Sequence, residues 1–403
     1  MHVMDTSLPL SDVRVVEFCT TAAGPFSAML LADMGADVVK VESPDGDGLR
    51  QWPPLSDGYS ENFASLNRNK RSVVLDLKNP ADNAVARKLV LASDVVIENN
   101  RPGVMDRLGL GWGNFAPLKP QLLYCSISAF GQDGPRAAEG GFDLTIQAAA
   151  GVMSVTGEPD GAPVKCGVPI SDFASGLYGA FAIAAALARV RAGGAGAHID
   201  VPMFGCTLGI AALQTSEYFG NGTDPRKLGS AHPRNAPYQA YRAQDGYFAI
   251  AAGNHKLWLQ VLGALDLPEL EHDPRFLTPT LRARHQVELK EILEQRFVGQ
   301  PVNHWIATFR AAGVPHARIN GYADALADPQ AQHMGWVQPL ELPNGRRTRT
   351  FGSPLRLNGR ALPIRRRPPA LGEHTDEVRA AHGVPAPGPD AAAATETDRA
   401  DRG

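Results

Sequence analysis

Residues 13–42, VRVVEFCTTAAGPFSAMLLADMGADVVKVE, decide the fold class. The opening VRVVEF is short, apolar and rich in valine, the pattern of a strand buried on both faces. TTAAGPFSAMLLADMGA then reads as a loop running into a helix, and DVVKVE (37–42) as the next strand. Together they form a βαβ unit. The pattern recurs downstream: SVVLDL (72–77) reads as a strand, and NPADNAVARKLVLAS as a helix with Asn79 as N-cap and Pro80 at its first position. DVVIEN (94–99) and LLYCSISAF (122–130) read as further strands. Strands alternating with helices imply an α/β architecture whose parallel sheet is covered on both faces, with ligands gathering at the carboxyl ends of the strands. The loops after Phe18, Glu42, Leu77 and Asn99 are therefore the places to look.

A second region begins near Arg226. YQAYRAQDGYFAIAAG (238–253) reads as a hairpin turning at Asp245-Gly246, and HKLWLQVLGAL, RARHQVELKEILEQRF and VNHWIATFRAAG as amphipathic helices, an α+β style. After about Asp328 short strand-like pieces return (GWVQPLEL, GSPLRL). The Ala-, Pro- and Asp-rich residues 384–403 are expected to be disordered. At 403 residues the chain exceeds what one hydrophobic core usually supports, so two domains are expected.

With 44% hydrophobic residues, 20% charged and a net charge of -3, the chain has the composition of a soluble globular protein without general attraction for nucleic acid. Cys19, Cys125, Cys166 and Cys206 are widely spaced, form no CxxC pair and read as reduced thiols in a cytoplasmic protein. The N-terminus lacks the basic and apolar regions of a secretory signal. Residues 173–188 are uncharged, but they are fewer than the roughly 20 that a bilayer requires, so a buried helix is expected and no membrane partner.

Several chemistries are excluded by their missing signatures. The first βα turn, CTTAAGP, holds no GxGxxG, and there is no Walker A sequence, no HExxH or Cys/His cluster for a metal and no GxSxG elbow. What remains are polar side chains at strand ends: Asn99, Arg101 and Arg107 in ENNRPGVMDRLG, Lys78 after LDL, and Arg68, Lys70 and Arg71 in NRNKR. Such groups suit phosphate or pyrophosphate, and equally a solvated surface. A lone carboxylate, Asp172, stands at the start of the apolar run GVPISDFASGLYGAFAIAAALARV (167–190), and Asp143 in GGFDLTIQAAAG is a similar case. Each is what a helix N-cap requires; each is also held ionised in a defined rotamer, as a nucleophilic carboxylate must be.

These residues resemble the class III CoA-transferases, the superfamily of formyl-CoA transferase, carnitine CoA-transferase and α-methylacyl-CoA racemase. The similarity runs from about Val13 to Gln338. It is carried by AGPFSAMLLADMGADVVKVE, NRNKRSVVLDLK, VIENNRPGVMDRLGLG, GFDLTIQAAAGVMSVTGEPDGAPVKCGVPISDFASGLYGA, HPRNAPY, GYFAIAAGN and AGVPHARIN, in that order. The resemblance implies a Rossmann-like large domain of residues 1–225 completed by 326–383, a small α+β domain of 226–325, and an interlocked homodimer. It implies that Asp172 is a nucleophile attacking an acyl-CoA thioester, with Asp143 supporting it, and that CoA is a substrate while no cofactor is permanently bound.

Carried over one position at a time, Ala22 and Ala23 fall in the loop after the first strand. Leu75, Asp76, Leu77 and Lys78 fall beside the adenine, Asn99, Asn100, Arg101 and Arg107 beside the pyrophosphate, and Gly140, Gly141 and Phe142 along the pantetheine. Thr20 and Ala22 replace polar or imidazole groups, and Ser43 replaces a basic residue for which Arg50 or Lys40 is the expected substitute. The segments GSAHPRNAPYQAY and GVPISDFASGLYGA are most similar to the succinyl-CoA-dependent dicarboxylate branch, making Arg68, His232 and Arg234 candidates for a second substrate carboxylate. The racemase branch needs a His where this chain has Phe142, and a phenyl ring cannot shuttle a proton. Racemisation, and an idle CoA-binding protein with Asp172 as a mere cap, stand as the alternatives.

Overall fold

The computed structural model describes residues 8–382, so the expected disorder of residues 384–403 lies outside the described residues. Two compact units divide the described residues: 8–150, 167–215 and 330–382 form one, and 151–166 and 216–329 the other.

The first unit is built on six parallel strands. They are β1 (Arg14–Phe18), β2 (Asp37–Glu42), β3 (Lys70–Val74), β4 (Val95–Glu98), β5 (Leu123–Ser128) and β6 (Ala197–Pro202), in the spatial order β3-β2-β1-β4-β5-β6. The register is direct: Arg14 lies beside Asp37 and Phe18 beside Glu98. Alternate strand residues feed opposite layers, as period-two side chains must. Val15, Ile97, Cys125 and Ile127 pack with α1 (Ala23–Asp33) and α4 (Ile170–Arg191), whereas Val16, Val96 and Tyr124 pack with α2 (Pro80–Ala92). The short helix α3 (Asp143–Ala149) lies between β5 and α4 in the chain.

Two expectations are corrected here. β3 ends at Val74 and not at Leu77, because Asp76 diverts the backbone: its Oδ1 accepts from Lys78 N at 3.0 Å and its own N–H donates to Asp82 Oδ2 at 2.8 Å. Helix α4 is buried on one side only. Ala174, Ile183 and Leu187 enter the core, while Leu177 and Phe181 are 54% and 71% exposed. Among the described residues it is the one helix long and apolar enough to cross a membrane.

The second unit has its own core. A three-stranded antiparallel sheet of β7 (Tyr238–Arg242), β8 (Tyr247–Ala251) and β9 (His316–Arg318) is packed by α5 (His255–Leu265), α6 (Gln286–Phe297) and α7 (Val302–Ala311) around Trp258, Phe248, Phe297 and Phe309. The helix expected over 282–297 is interrupted at His285, leaving a separate short helix, Pro279–Arg284. The break suits a buried Arg282, whose Nε donates to Ala236 O and Nη1 to Phe276 O, both at 2.9 Å.

Residues past 330 return to the first unit as a strap. Asn69 adopts a left-handed φ of 64°, and its Oδ1 accepts from the backbone N–H groups of Arg365 and Arg366 at 2.7 and 2.9 Å. This accounts for the RRRPP run: Arg365 reaches Ala32 O, and Arg367 pairs with Glu373 at 2.7 Å. The last helix, α8 (Thr375–Ala381), then covers edge strand β3, where His374 N donates to Ser72 O at 2.9 Å and Val74 N to Thr375 Oγ1 at 3.0 Å.

Candidate active site

Strand order reverses between β1 and β4, so a crevice opens beyond their carboxyl ends, bounded by the loops after Phe18 and Glu98. Asn99 stitches the two loops together. Its Oδ1 accepts from Thr20 N at 3.0 Å and its Nδ2 donates to Thr20 O at 2.8 Å. Asn100 donates to Phe18 O at 3.2 Å, and its backbone N–H to Glu98 Oε2 at 2.8 Å. Both asparagines thus hold backbone, whereas the exposed cations Arg101 and Arg107 make no ion pair among the described residues. Ala22 and Ala23 open α1 at the same crevice.

Gly140 brings a third segment alongside. A Cβ there would stand 2.8 Å from Arg101 Nη2, so the backbone at Gly140 runs directly against the exposed guanidinium, which a larger residue would displace. Phe142, the N-cap residue of α3, is 76% exposed. Leu75 is buried beyond the end of β3, Leu77 is half-buried, and Asp76 and Lys78 are exposed in the turn.

The paired carboxylates correct a second reading. Neither Asp172 nor Asp143 is the N-cap of its own helix: α4 starts at Ile170 after Pro169, and α3 starts at Asp143 after Phe142. Instead Asp143 serves the neighbouring helix, its Oδ1 accepting from Ser171 N at 3.0 Å while Oδ2 accepts from Gln147 Nε2 at 2.7 Å. The work of capping α4 is thus taken by Asp143, and Asp172 is released from it. No donor reaches the Asp172 carboxylate among the described residues; burial, and then the nearby Asp143 charge, push it up to about 6. It is half-buried in the first turn of a helix whose dipole favours the ionised form.

Close packing fixes the height of Asp172 against the crevice. A Cβ at Gly176, one turn on, would lie 2.8 Å from Ala23 O, and the Phe173 and Phe26 rings meet edge to face at 4.8 Å. The start of α4 therefore sits on the start of α1.

Other candidates are already engaged. Arg68 is buried, with Nε and Nη2 on Asp33 at 3.0 and 2.6 Å and Nη1 on the carbonyls of Ser65 and Phe351, so no guanidinium nitrogen is left for a substrate. Neither expected substitute for the base missing at Ser43 is available. Arg50 holds Glu42 through two 2.7 Å bonds, and Lys40 is buried against Glu17, Asp47 and Cys19 O. In the second unit Arg234 pairs with Glu217 at 3.1 Å. His232 accepts at Nδ1 from Arg234 N and Asn235 N, which places the proton of the neutral ring on Nε2, and burial followed by the Arg234 charge lowers its pKa.

Gln147, Gly176 and Asp47 belong to this arrangement, and nothing in local sequence marks them. Their roles come from partners 4 to 153 positions away in the chain.

A family model described as CoA-transferase family III matches residues 10–375. The succinate–glutarate CoA-transferase of Agrobacterium fabrum is 37% identical over 380 residues, covering 92% of this chain and 95% of that protein. The succinyl-CoA:glutarate CoA-transferase of Homo sapiens is 35% identical over 377 residues, covering 93% and 86%. Among solved structures, a CAIB/BAIF family protein from Brucella suis superposes with a TM-score of 0.83 at 39% identity, covering 93% of this chain and 99% of that one.

Proposed function

The chain belongs to CoA-transferase family III, and we propose that it moves CoA from succinyl-CoA, or a similar dicarboxylyl-CoA, to a carboxylic acid by covalent catalysis at Asp172. One observation carries the assignment of the nucleophile: Asp172 is a half-buried carboxylate that no donor reaches among the described residues, because Asp143 caps the helix in its place. A poorly solvated carboxylate that is still ionised at neutral pH is a competent nucleophile.

The reaction follows from that carboxylate. An Asp172 oxygen attacks the thioester carbonyl carbon, the C–S bond breaks, and CoA leaves as thiolate, giving a mixed anhydride. The thiolate attacks the aspartyl carbonyl, releasing the donor as a free acid and leaving CoA on Asp172 as a thioester. The acceptor carboxylate attacks that thioester, expelling the thiolate and forming a second anhydride. Thiolate attack on its acyl carbon yields the new acyl-CoA and restores Asp172. One thioester is broken and one made, so no nucleotide hydrolysis is required. Arg101 and Arg107, exposed and without an ion pair among the described residues, are assigned to the phosphates of CoA, and the first unit is assigned its binding. Arg234 and His232 are assigned to a carboxylate of a dicarboxylic substrate, Arg234 exchanging Glu217 for it.

Two features support a homodimer. The stripe Leu177, Tyr178 and Phe181 on α4 is apolar and exposed, and Leu213 and Phe219 are 62% and 83% exposed. A second copy threaded with the first would cover them. Four free cysteines, three of them buried, suit a cytoplasmic enzyme, which fractionation would test. Racemisation is disfavoured by Phe142, which offers no proton-transfer group.

Intact-protein mass spectrometry after incubation with succinyl-CoA and hydroxylamine tests the mechanism. Wild type should acquire a hydroxamate at Asp172, and Asp172→Ala should lose the adduct and all turnover while still binding CoA. Absence of an adduct with any thioester would sink the covalent route. In the same assay Arg234→Ala should raise KM for dicarboxylic acids tenfold or more, and an unchanged KM would remove Arg234 from the site.

A further inference from the structure

The loop between β1 and α1 is held by buried charge. Lys40, 0% exposed, donates to Cys19 O at 2.7 Å and pairs with Asp47 Oδ2 at 2.9 Å. Asp47, 1% exposed, accepts from Thr21 N at 3.1 Å through Oδ1 and from Leu49 N at 3.0 Å. Lys70, also fully buried, pairs with Glu17 at 3.0 Å and donates to Pro25 O at 2.8 Å. With Asn99 on Thr20, the backbone polar groups at Cys19, Thr20, Thr21 and Pro25 are all gripped from neighbouring strands and loops.

Within that grip Thr21 adopts a φ of 66°, a left-handed conformation that a β-branched residue reaches only under strain. Such a conformation persists where its surroundings over-determine it, which is common at ligand clamps. Burying a Lys–Asp pair is a poor way to add stability, since desolvation offsets most of the attraction. Its geometry is informative instead: the two partners act on the carbonyl of Cys19 and the amide of Thr21, the residues leading directly into Ala22 and Ala23.

We propose that the Lys40–Asp47 pair is a positioning device, acting through Cys19 and Thr21 to preset the β1–α1 loop in the conformation that receives the acyl-CoA. This rests on the reading of that loop as part of the CoA site. Neither side chain touches substrate; each fixes backbone that does. A preset loop is not ordered at the expense of binding, so the pair acts on affinity for the thioester and not on the chemical step.

The test uses the full-length enzyme and reads CoA binding by calorimetry, steady-state KM and kcat with succinyl-CoA, and Tm. Asp47→Asn keeps an oxygen for Thr21 N but loses the nearer of the two carboxylate charges on Lys40, the other being Glu17 at 3.5 Å. It should raise KM and the Kd for CoA about tenfold, leave kcat within threefold, and lower Tm. Asp33→Asn, which breaks a comparably buried ion pair away from the loop, should lower Tm with KM unchanged. The double variant Thr21→Gly/Asp47→Asn separates the roles even where Asp47→Asn folds poorly. Glycine takes the left-handed conformation without strain, so Tm should recover, but the loop is no longer preset and KM should stay high. Recovery of KM together with Tm, or a KM unmoved by Asp47→Asn, would overturn the proposal. Wild type that fails to bind CoA at all would instead refute the CoA site, and this inference with it.

Discussion

At the scale of a single residue, Asp172 couples stability to reactivity. Its carboxyl is pushed up to about 6 in the fold, by burial and by the Asp143 charge, above the ordinary value of 3.8. The native state therefore binds this proton more tightly than the unfolded chain does. The associated stability is full below the ordinary carboxylate range, declines as pH rises toward 6, and is absent above it. Asp172→Asn should accordingly raise stability at pH 7.5 by ~1–2 kcal/mol after allowing for partial solvent screening, with the gain vanishing near pH 4; this is readable as a higher Tm in thermal melts. Activity runs the other way. The nucleophile must be ionised, so kcat/KM should climb with pH to a plateau above about 6. Asp143→Asn removes the like charge and should move that limb toward acid, whereas a limb that stays in place would show that burial alone sets it.

At the scale of the element, the approach of α4 to α1 decides where Asp172 stands. Gly176→Ala would drive a Cβ to 2.8 Å from a backbone carbonyl that cannot yield, and should cost about 1–3 kcal/mol in denaturant unfolding. An unchanged midpoint would mean that the helices can separate freely. Elements were legible in the sequence where one physical rule sufficed. The strand DVVKVE and the helix HKLWLQVLGAL occupy the residues that apolar periodicity assigns them. β6, AHIDVP, escaped notice because its His and Asp alternate with only a few apolar residues and its partner β5 lies some 70 positions earlier. Asp172 was found by its isolation in an apolar run, yet its freedom from capping was not, because that depends on Asp143 reaching across to Ser171. Arg68 failed as a substrate ligand for the same reason: its partner, Asp33, is 35 residues away.

At the scale of the whole molecule, the proposed homodimer is tested on the exposed stripe of α4. Leu177→Asp combined with Phe181→Asp should convert a dimer to monomer in sedimentation experiments and reduce turnover. A wild type that sediments as a monomer would remove the dimer outright. The strap over β3 bears on how the protein is made. Ser72 and Val74 offer outward backbone groups that are satisfied by His374 and Thr375, about 300 residues later. A ribosome adding roughly 5–20 residues per second needs some 15–60 s to supply them. Through that interval the nascent sheet carries an open strand edge, the feature most prone to pair with other chains. Residues 216–329, contiguous and with a core of their own, are free to fold while it waits.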